Sequence, residues 1–551
     1  MSFVLLALVL LLSVFSPARA LWPLPRSLQT GSTALTLSPS FNIKLSVLHA
    51  PSDLLDAVAR TKQYLLNDKL ERLVVGRSSA DTAAIAGAKT LSALTLQLTP
   101  GATARPITTE AQQAPEDRDE AYSLTVPADG SAALITADST LGLLRGLTTF
   151  GQLWYFHSGQ LYTLSAPVHV EDSPAYPYRG FMLDTARNFF PVADIKRTLD
   201  AMSWVKINTF HWHVVDSQSF PLEVPGFTDV ASKGAYSASS VYTPKDVADI
   251  VSYAGARGID VMVEIDTPGH TSVISKAHPE HVACAEATPW STYANEPPAG
   301  QLRFTSDATT NFTANLLAAA AKMFPSKLFS TGGDELNTNC YAADPATQQA
   351  LNASGQTLEQ ALNVFTQKTH AAIEAAGKTP VVWEEMVLVH NVTLSNETVV
   401  MVWISSDDAA AVAQKGFKIV HAPSDYFYLD CGAGGWVGNF PSGNSWCEPF
   451  KTWQKAYSFN PLSGLSADQA KLVLGGQQLL WTEQSGPQNL DSIAWPRAAA
   501  SAEVFWSGPG GDDDAALPRL HDIAYRFVQR GVQAIALQPE WCALRPGACD
   551  I

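Results

Sequence analysis

From Pro174 onward, short apolar runs alternate with longer amphipathic stretches, and this rhythm limits the fold more than any single motif. The runs fall at 180–183, 209–214, 260–265, 328–331, 380–383, 399–404, 418–421 and 473–481. Most are too short for helices and too evenly apolar for a sheet with one wet face, so they read as strands buried on both sides. Segments 192–205, 244–256, 311–323 and 358–376 carry apolar residues at helical spacing and fit between them. Eight strands with intervening helices predict an α/β fold, a (β/α)8 TIM barrel.

Such a barrel builds its chemistry where the strands end. Here the ends carry Asp184-Thr185-Ala186-Arg187, His213-Val214-Val215-Asp216, Asp266-Thr267-Pro268-Gly269-His270, Asp334-Glu335, Trp383-Glu384-Glu385, Trp403, the Tyr428-Leu429-Asp430 loop and Trp481-Thr482-Glu483. The run 328–331 reaches Gly332-Gly333 and then delivers two adjacent carboxylates. Side chains alternate in direction along a strand, so Asp334 and Glu335 can serve one substrate in two roles. Trp383, Trp403 and Trp481 offer flat apolar faces for the C–H side of a pyranose, and carboxylates with Arg179 can take its hydroxyls. The constellation describes a sugar pocket.

The preceding residues have a different pattern. Within 21–175, segments 41–47 and 94–98 look strand-like and 54–70 and 139–156 helical. Segments 121–126 and 132–136 suggest a hairpin, and 101–120 reads as a loop. No catalytic set converges here, so 21–175 reads as a smaller α+β support domain and 176–551 as the barrel. Residues 1–20 combine an apolar run with small residues before a cleavage-like Ala20, the pattern of a secretory signal peptide. No later run suits a membrane anchor. The product is expected to be secreted, with the cell wall or a vacuolar or lysosomal lumen as further destinations. A net charge of −16 without a basic cluster argues against nucleic acid as a partner.

Sequons at Asn311, Asn352, Asn391 and Asn396 fit passage through a secretory pathway. Six cysteines suggest disulfides. Short loops favour Cys431–Cys447 and Cys542–Cys549, which leaves Cys284–Cys340. There is no close Cys-x-x-Cys pair to support structural zinc.

The segments Tyr178-Arg179-Gly180-Phe181-Met182-Leu183-Asp184-Thr185-Ala186-Arg187, Phe210-His211-Trp212-His213, Asp216-Ser217-Gln218-Ser219-Phe220-Pro221, Asp266-Thr267-Pro268-Gly269-His270 and Gly332-Gly333-Asp334-Glu335 resemble glycoside hydrolase family 20, and within it the fungal secreted β-N-acetylhexosaminidases. Asn188 departs from the pattern, since many relatives have His there. The resemblance implies exo-acting removal of terminal N-acetylglucosamine or N-acetylgalactosamine, from chitobiose, chitin oligomers or glycoconjugates. It also implies a retaining, substrate-assisted route, an exception to the two-carboxylate scheme.

By the same resemblance Glu335 is the general acid and later base. Asp334 orients the substrate acetamido group, and Tyr428 donates to its carbonyl oxygen. Trp383, Trp403 and Trp481 enclose the sugar. Arg179 and Glu483 hold ring hydroxyls, Asp430 holds the 6-hydroxyl, and Asp216 and His270 support Glu335. Trp446 stacks at the leaving-group side. The resemblance implies no metal or organic cofactor and a homodimer. The alternative is a non-catalytic extracellular sugar-binding protein; Asp334, Glu335 and Tyr428 are nevertheless all present.

Overall fold

The computed structural model describes residues 21–439 and 441–549; the leader expected at 1–20 lies outside them. The first unit is a six-stranded sheet. Ser27–Ser46 pairs parallel with Lys89–Leu98 and antiparallel with Gln160–Asp172. Tyr122–Val126 and Ala133–Ala137 form the expected antiparallel pair. The strand expected at 41–47 begins as far back as Ser27, because its N-terminal half is half-exposed and lacks the apolar alternation of a core strand. Helices Ser52–Asn67 and Thr140–Gln152 pack on this sheet through Leu54, Val58, Leu143, Leu147 and Phe150. The 101–120 segment contains a short α-helix, Ile107–Ala111, and a 3-10 turn, Pro115–Asp117, and ends on a buried carboxylate, Glu120.

Beyond it lies a closed parallel barrel of eight strands. They are Tyr178–Asp184, Thr209–Val215, Asp260–Ile265, Leu328–Gly332, Thr379–Trp383, Val399–Val402, Lys418–His421 and Val473–Leu480. The eighth pairs with the first from Gly475↔Tyr178 to Leu480↔Leu183, which leaves no open edge. The expected strands and the four expected helices are all present. The end shifts are one or two residues, and the 311–323 helix starts earlier, at Asp307.

The barrel interior is not wholly apolar. Tyr178 donates to Gln477 Oε1 at 2.7 Å, Gln477 Nε2 lies 3.0 Å from His211 Nδ1, and His211 Nε2 lies 3.1 Å from Glu264. Ser330 also donates to Glu264. Buried polar groups persist only when paired, and this column pairs them across five strands.

Cys284–Cys340, Cys431–Cys447 and Cys542–Cys549 are bridged, as the spacing suggested. Asn311, Asn352, Asn391 and Asn396 all lie exposed. No helix among the described residues is long and apolar enough to cross a membrane.

Arg179 does not reach the sugar pocket. It is the second residue of the first barrel strand, and the rim begins five residues later, about 17 Å away at ~3.3 Å per residue. Its guanidinium is buried at the barrel floor, where it donates to Glu120 at 2.5 Å and to the Lys206 and Tyr176 carbonyls at 2.9 Å. Arg145 donates to the same Glu120 oxygen at 2.7 Å. Burial raises the Glu120 carboxyl, but the two guanidiniums outweigh it and draw it down to about 2. Trp506, on the helix Arg497–Ser507, packs under Arg179 and belongs to the core of the N-terminal sheet. Arg179 therefore joins sheet to barrel.

Arg179→Met should lower unfolding stability by ~3–5 kcal/mol, the cost of breaking a buried ion pair from one side. The KM of the protein that stays folded should be unchanged. Denaturant titration with steady-state kinetics on the same preparation tests both statements.

Candidate active site

The fourth barrel strand ends in Gly332 and Gly333, at φ +65° and +101°, and Glu335 follows at φ +54°. A Cβ on Gly332 would stand 1.9 Å from Asp266 Oδ1, and one on Gly333 2.5 Å from Met386 Cγ. Both glycines are required by these approaches as well as by their left-handed backbone. The same turn lets the Gly333 N–H donate to Asp266 Oδ1 at 2.8 Å. Asp334 then points toward Asp266, while Glu335 points toward His270, also at positive φ (+52°). Left-handed backbone at two non-glycine residues costs roughly 1–2 kcal/mol each and is held by the surrounding contacts.

The two adjacent acids sit in opposite fields. His270 Nε2 is 3.3 Å from Glu335 Oε2, and His270 Nδ1 is 3.1 Å from Asp216 Oδ1. Burial works against the charged imidazole, yet Asp216 and Glu335 outweigh it and hold the His270 pKa well above the usual range. Burial raises Glu335, but the His270 cation prevails and the net shift is downward. Asp334 is raised well above the carboxylate range by burial first and by Asp266 second. Asp266, also buried, is pushed up to about 7. Two buried carboxyls side by side share a proton. Asp334 Oδ1 and Asp266 Oδ2 are both buried with no other hydrogen-bond partner among the described residues.

Behind His270 the relay continues downward. Asp216 Oδ2 lies 2.8 Å from His213 Nε2, and His213 Nδ1 lies 2.5 Å from Glu264 Oε1. His270 and Asp216 at the rim are thus bonded to the barrel's interior column.

A cavity of about 550 Å³ opens above these groups. Trp383, Trp403, Trp481 and Tyr428 wall it. Trp383 and Trp481 have ring centres 6.1 Å apart, and Trp403 stacks on Tyr428 at 6.3 Å and 13°. Tyr428 is positioned by an isolated bridge to Leu479, and the Leu429 N–H donates to the Leu479 carbonyl at 2.9 Å, extending the eighth strand's pairing. Trp403 is fixed from behind, its indole N–H donating to Glu385 at 2.8 Å. Trp446 is largely exposed on the loop pinned by Cys431–Cys447, edge-on to Trp403 and Tyr428. Asp430 and Glu483 also line the cavity. Burial lifts Asp430 to about 7 and raises Glu483 well above its ordinary range.

The pocket arginine is Arg187, not Arg179. It sits at the C-terminal end of the first strand, over the Trp481 ring, 3.0 Å from Asp216 and bonded to Glu296. Asp184 holds this turn, accepting from the Ala186 and Arg187 N–H groups and from Thr482 Oγ1. Asn188 donates to the Thr482 carbonyl at 2.7 Å, a structural contact. Asp216 stands behind the wall and reaches the site through His270 and Arg187. Asn295 and Glu296 line the cavity from a long excursion after the third strand, where sequence pattern gave no strand end to mark them. Asp266 and Arg187 did carry a signal, since both follow a strand's C-terminal end.

Residues 176–509 match the catalytic domain of glycosyl hydrolase family 20, and residues 21–153 match a domain described as beta-acetyl hexosaminidase like. The chain belongs to glycosyl hydrolase family 20. A beta-hexosaminidase of Arthroderma benhamiae is 35% identical over 462 residues, covering 79% of this chain and 74% of that protein. Beta-hexosaminidase 1 of Arabidopsis thaliana is 31% identical over 575 residues, covering 99% and 97%. Among solved structures, the chitobiase of Flavobacterium johnsoniae superposes with a TM-score of 0.75 at 26% identity, covering 93% of this chain and 73% of that one.

His270→Gln should lower kcat ~10²-fold, the low end of the range general acid–base groups contribute. It should also move the alkaline limb of kcat/KM to lower pH. With His270 present, the pair keeps its last proton up to the raised imidazole pKa; without it, that proton sits on a lone buried carboxyl. A pH–rate profile whose alkaline limb does not move would contradict this coupling.

Proposed function

We propose that this protein is an exo-acting β-N-acetylhexosaminidase that works by retaining, substrate-assisted hydrolysis. The carrying observation is Asp334, a carboxyl that lines an aromatic box and shares its proton with the buried Asp266 beside it. With the proton on Asp266, the side of Asp334 that meets the cavity needs a donor. A 2-acetamido N–H meets that requirement, and its methyl is suited to the Trp383–Trp481 corner.

In this reading Asp266 keeps the shared proton, and Asp334 accepts the acetamido N–H as a carboxylate. The Tyr428 hydroxyl donates to the acetamido oxygen, which attacks the anomeric carbon as the glycosidic bond breaks. Glu335 supplies the leaving oxygen's proton. At rest that proton sits on His270, and entry of the leaving group excludes water and favours the neutral Glu335–His270 pair over the ionic one. The product of this step is an oxazolinium ion with its positive charge beside Asp334. Water, deprotonated by Glu335, then attacks the same carbon and restores the amide. The proton returns to Glu335, and configuration is retained after two inversions. Arg187 and Glu483 suit the ring hydroxyls and Asp430 the exocyclic one, which makes the pocket a dead end for a terminal sugar.

Entry to the secretory pathway belongs to the same reading, supported by three disulfides and four exposed sequons. So do chitin oligomers as substrates, a homodimer and the supporting role of 21–175. Related proteins named chitooligosaccharidolytic beta-N-acetylglucosaminidase, from Ostrinia furnacalis and Bombyx mori, are in accord with the substrate class.

Glu335→Gln should lower turnover of unactivated glycosides by at least ~10²-fold while leaving ligand affinity largely intact. A non-catalytic sugar-binding protein would have no turnover to lose. A thiazoline analogue of N-acetylglucosamine should inhibit strongly, and aryl glucosides lacking the 2-acetamido group should be cleaved far more slowly than N-acetylated ones. Equal cleavage of both, with a trapped glycosyl-enzyme, would replace this mechanism with a protein nucleophile.

A further inference from the structure

We infer that His278, Glu280 and His281 form a binding site for one divalent transition metal ion of the zinc class, outside the active site. They occupy the sequence His278-Pro279-Glu280-His281 on the excursion after the third barrel strand, where Pro279–His281 makes a single 3-10 turn. One donor atom from each residue lies within 4.8 Å of the other two.

The spacings favour a shared ion over hydrogen bonds. Glu280 Oε1 is 3.5 Å from His278 Nδ1 and 3.9 Å from His281 Nε2. Both exceed the usual N–H···O range of about 2.7–3.2 Å. The first matches, and the second exceeds by a few tenths of an ångström, the ~3.3–3.5 Å that separates ligands around a tetrahedral ion with bonds of ~2.0–2.2 Å.

The far nitrogen of each ring is held by its own partner. His278 Nε2 is 2.9 Å from Asp229, on the helix Thr228–Gly234. His281 Nδ1 is 3.0 Å from Thr309 Oγ1, on the helix Asp307–Ala321. With these outer atoms as donors, the remaining lone pairs face Glu280. A metal-binding histidine characteristically bonds its second nitrogen to a carboxylate or oxygen acceptor in this way.

The remaining surroundings fit a cation. Phe312 covers both imidazoles, with ring centres 4.9 and 4.5 Å away. Glu280 is exposed, which leaves an entry path and a position for water. Two neutral imidazoles with the Glu280 and Asp229 carboxylates carry two negative charges, matching a divalent ion. The nearby Arg303 is paired with Asp344 at 2.9 Å, and it fixes the ligand turn by donating to the Glu280 and Val282 carbonyls. Imidazole donors favour zinc, copper or nickel over calcium or magnesium. A bound ion would tie this end of the excursion, which carries Asn295 and Glu296 to the cavity, to two flanking helices.

The test is Co²⁺ titration of untagged, chelator-treated full-length protein, read by the visible absorption of low-coordinate Co²⁺ and by displacement with Zn²⁺. One equivalent should bind. Glu280→Gln should weaken binding at least tenfold and Asp229→Asn by ~10–100-fold. Both variants should retain hydrolysis of aryl N-acetylhexosaminides at the parental rate. Saturation with the thiazoline should leave Co²⁺ binding unchanged. The proposal is overturned by any of three outcomes: no saturable binding, parental affinity in Glu280→Gln, or loss of the Co²⁺ spectrum when the thiazoline occupies the active site.

Discussion

One imidazolium sets the chemistry of this site. His270 lies between Asp216 and Glu335; it holds the Glu335 carboxyl down against burial, and it joins Arg187 in holding Asp216 charged. Its own charge in turn depends on Asp216, which is held by Arg187 and by His213, and His213 is held by Glu264 beneath. The chain of pairs runs from the interior of the barrel to its rim. The polar column among the first, second, third, fourth and eighth strands is therefore more than a satisfied core, since it anchors Asp216 and, through it, His270 and Glu335.

The close approach of Asp266 to Gly332 supplies the second constraint. A side chain at position 332 would push Asp266 away, and the neighbouring Asp334 would lose the carboxyl that shares its proton. Asp334 and Glu335 are consecutive, yet one is driven up by burial and then a like neighbour, and the other is brought down, against burial, by a cation. Divergent side-chain directions at a strand end are enough to produce this, because each acid enters a different set of partners. Pairs of acids whose environments separate their protonation are how one site performs two roles at one pH.

Much of this was legible in the chain. Barrel strands buried on both faces read as continuous apolar runs, and their C-terminal ends disclosed Asp334, Glu335, His270, Trp383, Trp403, Trp481, Asp430 and Glu483. The long strand Ser27–Ser46 was only half legible, because its N-terminal half pairs on one side only and is half-exposed, which weakens the alternation. Asn295 and Glu296 were hidden for a different reason. They arrive from an excursion stapled by Cys284–Cys340, and no periodicity indicates where such a segment folds back.

The exchange of Arg179 for Arg187 follows from strand polarity. Both arginines flank the same apolar run, and both have the chemistry to hold a hydroxyl or a carboxylate. A parallel strand nevertheless has a floor end and a rim end, and only residues that follow it face the pocket. Arg179 precedes the run and spends its donors on Glu120 and two carbonyls, joining the two sheets. Arg187 follows it and is surrounded by Asp184, Asp216, Glu296 and Glu483. Burial favours neutralising a guanidinium, but this ring of carboxylates outweighs it and holds Arg187 firmly charged. A charged fork fixed in place at the rim needs no reorganisation when a sugar arrives, and that preorganisation separates a binding arginine from a structural one.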